Sequence, residues 1–295
     1  MPDSPHIRQE AAQRLIGKTR FLRLLHGLHL AFEVLELCWG MALLKTLFAR
    51  KPKFSTEIAP DQPFFAVGDL HGCIEQLRNI PTIASEHASK ETPIVFVGDY
   101  VDRGPDSAAV LRWLFEQQTS NPDTIVCLMG NHERMMLDAL AHPEKASRRW
   151  MRYGGMETTA SFGVQPIFGQ ALDEEWVQMR DDLVNAMGAD LLDWMHNLPL
   201  HWQSGNVFVC HAGAKPSIAL DAQEPNTLLW GNEDFVRKTR SDGNWVLHGH
   251  TVVERAHAQD GRIAIDTGAY MTGILTCAHI TQHGANFIPV TSMTV

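Results

Sequence analysis

The sequence lacks the features that mark several classes of protein. It has only five cysteines, an odd number with no C-x-x-C pair, which predicts buried free thiols in a reducing compartment. It has no long basic run and a net charge of −9, so we expect no general nucleic-acid binding. It shows no internal repeat and no low-complexity tract. The whole sequence is 44% hydrophobic and 20% charged. Its 295 residues are enough for one large α/β domain or two small ones.

Residues 21–48 form an apolar segment, but charged residues from Arg23 to Lys45 interrupt it. No window of about 18 residues in this segment is free of charge, so we expect no spanning helix, and no signal-peptide cleavage site follows it. Leu and Phe recur there at helical spacing, which predicts an amphipathic helix that packs on the main domain or contacts a membrane surface or a partner. We assign residues 1–60 to this helical extension and a linker. The expected location is the cytoplasm, with peripheral membrane association as the alternative.

After a Pro-bounded linker at 51–63, short apolar runs alternate with helical patterns. The runs are FFAV (64–67), IVFV (94–97), TIVCLM (124–129), VFVC (207–210), WVLH (245–248), RIAI (262–265) and ILTCAHI (274–280). Runs that are apolar throughout predict strands covered on both faces. Residues 106–118, 134–152 and 171–198 have mostly helical patterns. We therefore expect a layered α/β domain over residues 61–295.

Five of these runs end in a similar way, with glycine near Asp, Asn or His. The endings are Gly68-Asp69-Leu70-His71-Gly72, Gly98-Asp99-Tyr100-Val101-Asp102-Arg103-Gly104, Gly130-Asn131-His132-Glu133, His211-Ala212-Gly213 and Gly249-His250-Thr251. Ligand sites in helix-covered sheets lie beyond the carboxyl ends of the strands. Asp, Asn and His suit Mn, Fe, Zn or Mg, and two such ions clamp a phosphoryl group during in-line displacement. Singly, each ending is equally typical of a turn or a helix cap; together they predict a two-metal phosphoesterase.

These endings resemble the calcineurin-like metallophosphoesterases over about residues 64–280. The G-D-Y-V-D-R-G and G-N-H-E forms look like the serine/threonine protein phosphatase branch, which also includes symmetrical diadenosine tetraphosphate hydrolases. The segments 150–155, 228–230 and 266–269 are similar to the bacterial part of that branch. The resemblance implies an α/β fold of the metallophosphoesterase type, a β-sandwich flanked by helices in α/β/β/α layers.

The resemblance also implies a metal centre of two divalent ions, with Mn²⁺ favoured and Fe, Zn or Mg as alternatives. The first ion would be held by Asp69, His71 and Asp99, and the second by Asp99, Asn131, His211 and His250. Asp99 would then bridge the two ions, and a water activated between them would attack phosphorus.

The catalytic roles implied by the resemblance belong to three residues. His132 would protonate the leaving oxygen, Asp102 would orient its imidazole, and Arg103 would bind phosphate oxygens with its planar fork. Asn131 is a further candidate for substrate binding. His248 matches no ligand position, and we expect it either to support a metal ligand through a contact or to be structural.

One position departs from the family pattern. Bacterial relatives usually carry Trp-x-Arg where this chain has Trp230-Gly231-Asn232, and that arginine is a second phosphate contact. Arg237 or Arg240 from the next helix would substitute for it, with Arg237 as our assignment, unless the second contact is absent.

The sequence favours a phosphoserine/phosphothreonine protein phosphatase, acting on a phosphoprotein or a small phosphoester. One alternative is a dinucleoside polyphosphate hydrolase using the same site. Another is a metal-binding scaffold with weak turnover: His132, Asp102 and Arg103 argue against it, and Asn232 argues weakly for it.

Overall fold

The computed structural model describes residues 54–169 and 171–292. The helix predicted over 21–48 lies outside the described residues, and the division between residues 60 and 61 stays a prediction. Residues 54–60 run along the second of the two sheets introduced below. The Phe54 ring packs edge-on against Trp245 at 4.9 Å, and the Ala59 N–H donates to the Asn206 side chain at 2.8 Å. Within the described part of the chain, no helix is both long and apolar enough to cross a membrane.

Two mixed five-stranded sheets lie at the centre of the described residues. Their strands are β1 (Phe64–Val67), β2 (Ile94–Phe96), β3 (Ile125–Cys127), β4 (His201–Ser204), β5 (Val207–Cys210), β6 (Trp245–His248), β7 (His257–Gln259), β8 (Arg262–Ala264), β9 (Leu275–Thr281) and β10 (Gly284–Val290). The first sheet has the order β10-β9-β1-β2-β3, in which β1, β2 and β3 are parallel. The second has the order β4-β5-β6-β8-β7, in which β5, β6 and β8 are parallel.

Helices cover the outer faces of both sheets. They are α1 (Ile74–His87), α2 (Ser107–Ser120), α3 (Asn131–Ala141), α4 (Pro143–Trp150), a π-helical turn (Met151–Gly155), α5 (Met156–Ser161), α6 (Asp173–Met187), α7 (Ala189–His196), a 3₁₀ turn (Leu220–Ala222), α8 (Pro225–Trp230), α9 (Glu233–Arg237) and α10 (Ala269–Thr272). The predicted helical patterns at 106–118, 134–152 and 171–198 all fall within this set.

Alternating side chains of each central strand pack in different layers, because successive residues of a strand point to opposite faces. Phe64 of β1 lies between the sheets with Val209 and Leu247 of the second sheet. Phe65, its neighbour, packs beneath the helices that cover the first sheet. Phe208 of β5 packs on the far side with residues of α8 and α9. The layers are therefore α/β/β/α, which confirms the predicted fold.

The strands that sequence analysis missed are β4, β7 and β10. The segment HWQS of β4 and the segment HAQ of β7 are short and partly or fully exposed, so they form no apolar run. Both are antiparallel edge strands of the second sheet, held by pairing with β5 and β8. Their hydrogen bonds come from neighbours in space, which a local hydrophobic pattern does not record.

Candidate metal centre and active site

The turns that follow β1, β2 and β6 bring the predicted ligands to one edge of the two sheets. The backbone there is strained: His71, Asp99, Asp102, Arg103 and His250 all have φ between 41° and 73°. Non-glycine residues adopt this left-handed region at a cost of about 1–3 kcal/mol each, and they cluster at functional sites. Tight packing between the turns holds them, because a Cβ on Gly98 (φ 106°) would lie 2.5 Å from the Gly130 backbone nitrogen.

Glu133 joins two of these turns. Its buried carboxylate accepts backbone N–H bonds from Asp99 at 2.8 Å, Tyr100 at 2.8 Å, Val101 at 3.2 Å and Gly130 at 2.9 Å. These bonds tie the turn after β2 to the start of α3, so Asp99 and Asn131 are placed by the same side chain. The motif G-N-H-E thus contains a residue whose function is to position the turns, and sequence analysis assigned it none.

Two groups of ligand atoms meet at Asp99. His71, Asp99 and His132 form one group, and Asp99, His211 and His250 form the other, with the ligand atoms of each within 4.8 Å of one another. Nε2 of His71 lies 3.5 Å from one Asp99 oxygen, and Nε2 of His211 lies 3.3 Å from the other. A carboxylate flanked in this way on both oxygens has the arrangement that a bridging ligand needs.

Asn131 completes the second group. Its Oδ1 lies 2.7 Å from Nε2 of His211 and 2.8 Å from Nδ1 of His250. Nδ1 of His211 lies 3.0 Å from the carbonyl of Val97 and therefore carries the proton of the neutral ring. Nε2 is then an acceptor, and it faces the Asn131 oxygen, which is also an acceptor. Two facing acceptors at this distance are the arrangement that a bound cation stabilises, so the residues present fit a metal ion.

The first group, His71, Asp99 and His132, also fits a metal ion. His71 places Nδ1 2.7 Å from the carbonyl of Val101, and its buried Nε2 has no hydrogen-bond partner among the described residues. Burial lowers the pKa of His71 to about 3 and that of His250 to about 4, so both imidazoles are neutral, as metal ligands must be. Although burial raises the pKa of Asp99, the surrounding imidazoles outweigh that effect and lower it, so this carboxyl is ionised.

Asp69 lies next to the backbone of His250 and beside Asp266, a carboxylate to which the sequence pattern gave no role. Its oxygens accept the His250 N–H at 3.0 and 3.2 Å. Burial and the nearby Asp266 raise the pKa of Asp69 well above its usual range, and burial raises that of Asp266 to about 6. Such a crowd of buried carboxylates is stabilised by a cation. Asp266 follows the apolar run RIAI, the same pattern that identified the other ligands, so a signal for it was present.

His132, Asp102 and Arg103 form a connected chain of side chains. Nδ1 of His132 lies 2.6 Å from Asp102, and Nη2 of Arg103 lies 3.1 Å from Nε2 of His132. Burial lowers the pKa of His132, but Asp99 and the hydrogen bond to Asp102 outweigh it and leave that pKa raised. The three residues assigned to catalysis are thus in mutual contact next to the metal-ligand groups.

The carboxylate of Asp102 is held by two further residues that sequence analysis missed. The indole N–H of Trp150 donates to both of its oxygens at 2.9 and 3.0 Å, and the Thr158 hydroxyl donates at 2.7 Å. The chain then kinks at Gly154 (φ 108°), whose carbonyl accepts the Arg103 N–H at 3.3 Å, and a side chain there would collide with Arg103. Residues 150–158 therefore position both Asp102 and Arg103.

Tyr270 contacts residues of the centre, and Asn232 lines the cavity beside His250. The guanidinium of Arg103 lies 5.0 Å from the Tyr270 ring centroid, and that ring also packs edge-on against His71 at 5.2 Å. Asn232 caps α9, because its Oδ1 accepts the Asp234 N–H at 2.9 Å. His248, expected to support a metal ligand or to be structural, lies buried with its ring edge-on to Phe235 at 5.0 Å.

The two arginines considered as substitutes for the second phosphate contact have other partners. Arg237 is mostly exposed, and its guanidinium pairs with Glu233 at 3.0 Å. Arg240 is buried and donates to the carbonyls of Lys215 at 3.0 Å and Ile218 at 3.1 Å. Its Nε and Nη2 also pair with Asp242, so each nitrogen of the Arg240 guanidinium already has a partner and none is left for a phosphate.

Comparisons with known proteins agree with this geometry. The family model described as calcineurin-like phosphoesterase matches residues 62–260. The symmetrical bis(5'-nucleosyl)-tetraphosphatase of Legionella pneumophila is 32% identical over 177 residues, which cover 58% of this chain and 53% of that protein. This chain thus spans about half the length of that relative.

Two further proteins resemble longer parts of the chain. The asymmetrical bis(5'-nucleosyl)-tetraphosphatase of Bacillus velezensis is 25% identical over 243 residues, which cover 74% of this chain and 88% of that protein. The structure of a serine/threonine phosphatase from Saccharomyces cerevisiae has a TM-score of 0.53 at 16% identity and covers 86% of this chain and 88% of its own. At that identity, the likeness shows the fold alone.

Proposed function

Because this chain belongs to the calcineurin-like phosphoesterase family of metal-dependent hydrolases, we propose that it hydrolyses dinucleoside tetraphosphates. The observation that carries the choice of substrate is the identity of its relatives, which are bis(5'-nucleosyl)-tetraphosphatases at 32% and 25% identity. The sequence favoured a protein phosphatase, with the dinucleotide as the alternative. The relatives support that alternative better, whereas the likeness to a serine/threonine phosphatase extends to the fold only.

The residues that would hold the metal ions are those already brought together at the strand ends. Asp69, His71 and Asp99 would hold one ion, and Asp99, Asn131, His211 and His250 the other. Two divalent ions supply positive charge for the phosphoryl oxygens and lower the pKa of a water to near neutrality.

Arg103 and His132 then act on the substrate. Because a guanidinium can only donate, Nε2 of His132 acts as the acceptor in its 3.1 Å contact with Arg103, and Nδ1–H would donate to Asp102. An anionic phosphoryl group attracts a guanidinium through charge-assisted bonds about twice as strong as neutral ones. Substrate binding would therefore draw Arg103 from the imidazole to the phosphate and free Nε2 to accept a proton.

His132 would return that proton to the leaving oxygen. A new bond would form between the water oxygen and phosphorus as the bond from phosphorus to the leaving nucleotide breaks. One water proton would pass through Nε2 of His132 to the leaving oxygen, and the other would stay on the new phosphate hydroxyl. Asp102 keeps Nδ1 protonated throughout and so keeps Nε2 directed at the substrate. The buried donors Trp150 and Thr158 keep Asp102 in place.

The test compares the purified, Mn²⁺-supplied chain on diadenosine tetraphosphate and on phosphoserine and phosphothreonine peptides. We expect kcat/KM for the dinucleotide to exceed that for either peptide by at least about tenfold, the effect of one well-placed contact of about 1.4 kcal/mol. The Asp99→Asn variant controls for a contaminating phosphatase and should lose both activities. A preference for the peptides would refute this proposal in favour of a protein phosphatase. Separation of the products would distinguish two ADP from ATP with AMP.

A further inference from the structure

We propose that a cavity beside His250 binds one nucleoside of the substrate, an inference that rests on the proposed function. The cavity has a volume of about 470 Å³. Its lining includes Trp230, Asn232, Phe235, His250, Val253 and Arg262. Because His250 belongs to the metal-ligand group, a molecule in this cavity would lie directly next to the phosphoryl group under attack.

The size and the walls of the cavity suit a nucleoside. Pockets for small organic ligands measure about 300–1,000 Å³ and combine apolar walls with a few polar groups. Here the aromatic rings of Trp230 and Phe235 and the aliphatic side chain of Val253 provide the apolar walls. A flat heteroaromatic base gains from contact with such side chains, whereas a phosphoserine side chain has no group of this kind to bury.

The polar groups of the cavity are suited to a base that accepts hydrogen bonds. Nη1 of Arg262 donates to the carbonyls of Phe235 at 3.0 Å and Lys238 at 3.1 Å, which fixes the orientation of its guanidinium fork. The oxygen of Asn232 is occupied by the Asp234 N–H, so its amide group faces a ligand as a donor. A fixed guanidinium and an amide offer N–H groups to the ring nitrogens of a base.

Trp230 also links the cavity to positive charge. The guanidinium of Arg149 lies 5.1 Å from the Trp230 ring centroid and 5.9 Å from that of Tyr153. Arg149 is exposed, so this cation lies at the surface beside the Trp230 wall of the cavity. A nucleoside attached to a polyphosphate chain needs such a cation, because only one phosphoryl group at a time can contact the metal ions.

This assignment explains the departure at position 232. An arginine there would extend into the cavity, whereas asparagine caps α9 with its oxygen and leaves the space open. A site for a simple phosphate monoester gains a charged contact from an arginine at this position. A site for a phosphate that carries a nucleoside gains more from asparagine, because the cavity then stays open to the nucleoside.

The decisive experiment compares the binding of AMP and of inorganic phosphate by titration calorimetry, using the full Mn²⁺-supplied chain. The two probes share a phosphate and differ by the nucleoside. We expect AMP to bind at least about tenfold more tightly, within the range that one stacked base contributes. The Val253→Trp variant, which fills the cavity, should reduce that ratio to about one. Ile218→Trp, at an exposed site outside the cavity lining, serves as the matched control and should keep the ratio.

Thermal unfolding would show whether Val253→Trp is folded; if it is not, Asn232→Arg obstructs the same space and should lower the same ratio. A ratio near one in the unmodified chain would overturn the proposal, as would an unchanged ratio in the folded cavity variants or an equal loss in Ile218→Trp. Should the unmodified chain prefer AMP but fail to hydrolyse diadenosine tetraphosphate, the nucleoside site would stand and the proposed substrate would fail.

Discussion

The buried indole of Trp150 offers a direct test of how Asp102 is held. Trp150→Phe keeps an aromatic ring in place and removes the N–H that donates to both Asp102 oxygens at 2.9 and 3.0 Å. A hydrogen bond to a charged group contributes about 1.5–3 kcal/mol, which sets an upper limit of roughly 10- to 100-fold on the loss of kcat. Because the Thr158 hydroxyl still donates at 2.7 Å, we expect a loss of about tenfold, near the lower end of that range.

The assay measures kcat for phenyl phosphate and p-nitrophenyl phosphate. If Trp150 acts through Asp102 on the imidazole of His132, the loss should be larger for phenyl phosphate, whose leaving oxygen needs the proton more. Trp176→Phe is the matched control, because Trp176 is also buried in the core that covers the first sheet. It should lose stability in thermal unfolding but retain turnover. Equal losses for the two esters, or an equal loss in Trp176→Phe, would refute the idea that Trp150 positions the acid.

Three further predictions concern the metal centre, the acid and the cavity. Elemental analysis should find about two divalent ions per chain and at least one fewer in Asp99→Asn, and an active metal-free chain would contradict the two-metal site. His132→Asn should lower kcat by about 10²–10⁴, with a larger loss for alkyl than for p-nitrophenyl phosphate, and a uniform loss would mean that another group supplies the proton. Asn232→Arg should raise kcat/KM for p-nitrophenyl phosphate up to about tenfold through one charged contact and lower it for diadenosine tetraphosphate. A rise for both substrates would show that the cavity is not used.

The sequence predicted the centre because its signals are local. An apolar run followed by Asp, Asn or His with a glycine nearby marks a strand end, and the strands β1, β2, β3, β5 and β6 all lie where such runs predict them. Parallel strands with helical connections then bring these ends to the same edge. Asp266 follows β8 and stands close to Gly268, so the same local signal also indicates this carboxylate.

Residues that act from a distance along the chain were not predictable in this way. Trp150 and Thr158 reach Asp102 across 48 and 56 residues, and nothing in their local pattern indicates that partner. The partner of a surface side chain is equally difficult to predict from the sequence. Arg237 lies in a helix, as expected, but its contact with Glu233 depends on which face of α9 is exposed. Helix position is set by local periodicity, whereas the partner is set by tertiary packing.

The metal-ligand residues and the cavity lie on different parts of the fold. The predicted metal ligands lie within a few residues of strand ends, and Asp69, His71, Asp99, Asn131 and His211 are all buried. The cavity instead draws on the α8–α9 connection, on α9, where Val236 is 71% exposed, and on the loop after β6. Strand ends are fixed by the sheets, and loops of this kind accept substitutions with little effect on the fold. Changes that line the cavity should therefore alter the ratio of kcat/KM between substrates while metal content stays constant. Elemental analysis of Val253→Trp alongside its kinetics would test that separation, since a loss of metal in this variant would show that the two parts of the site are coupled.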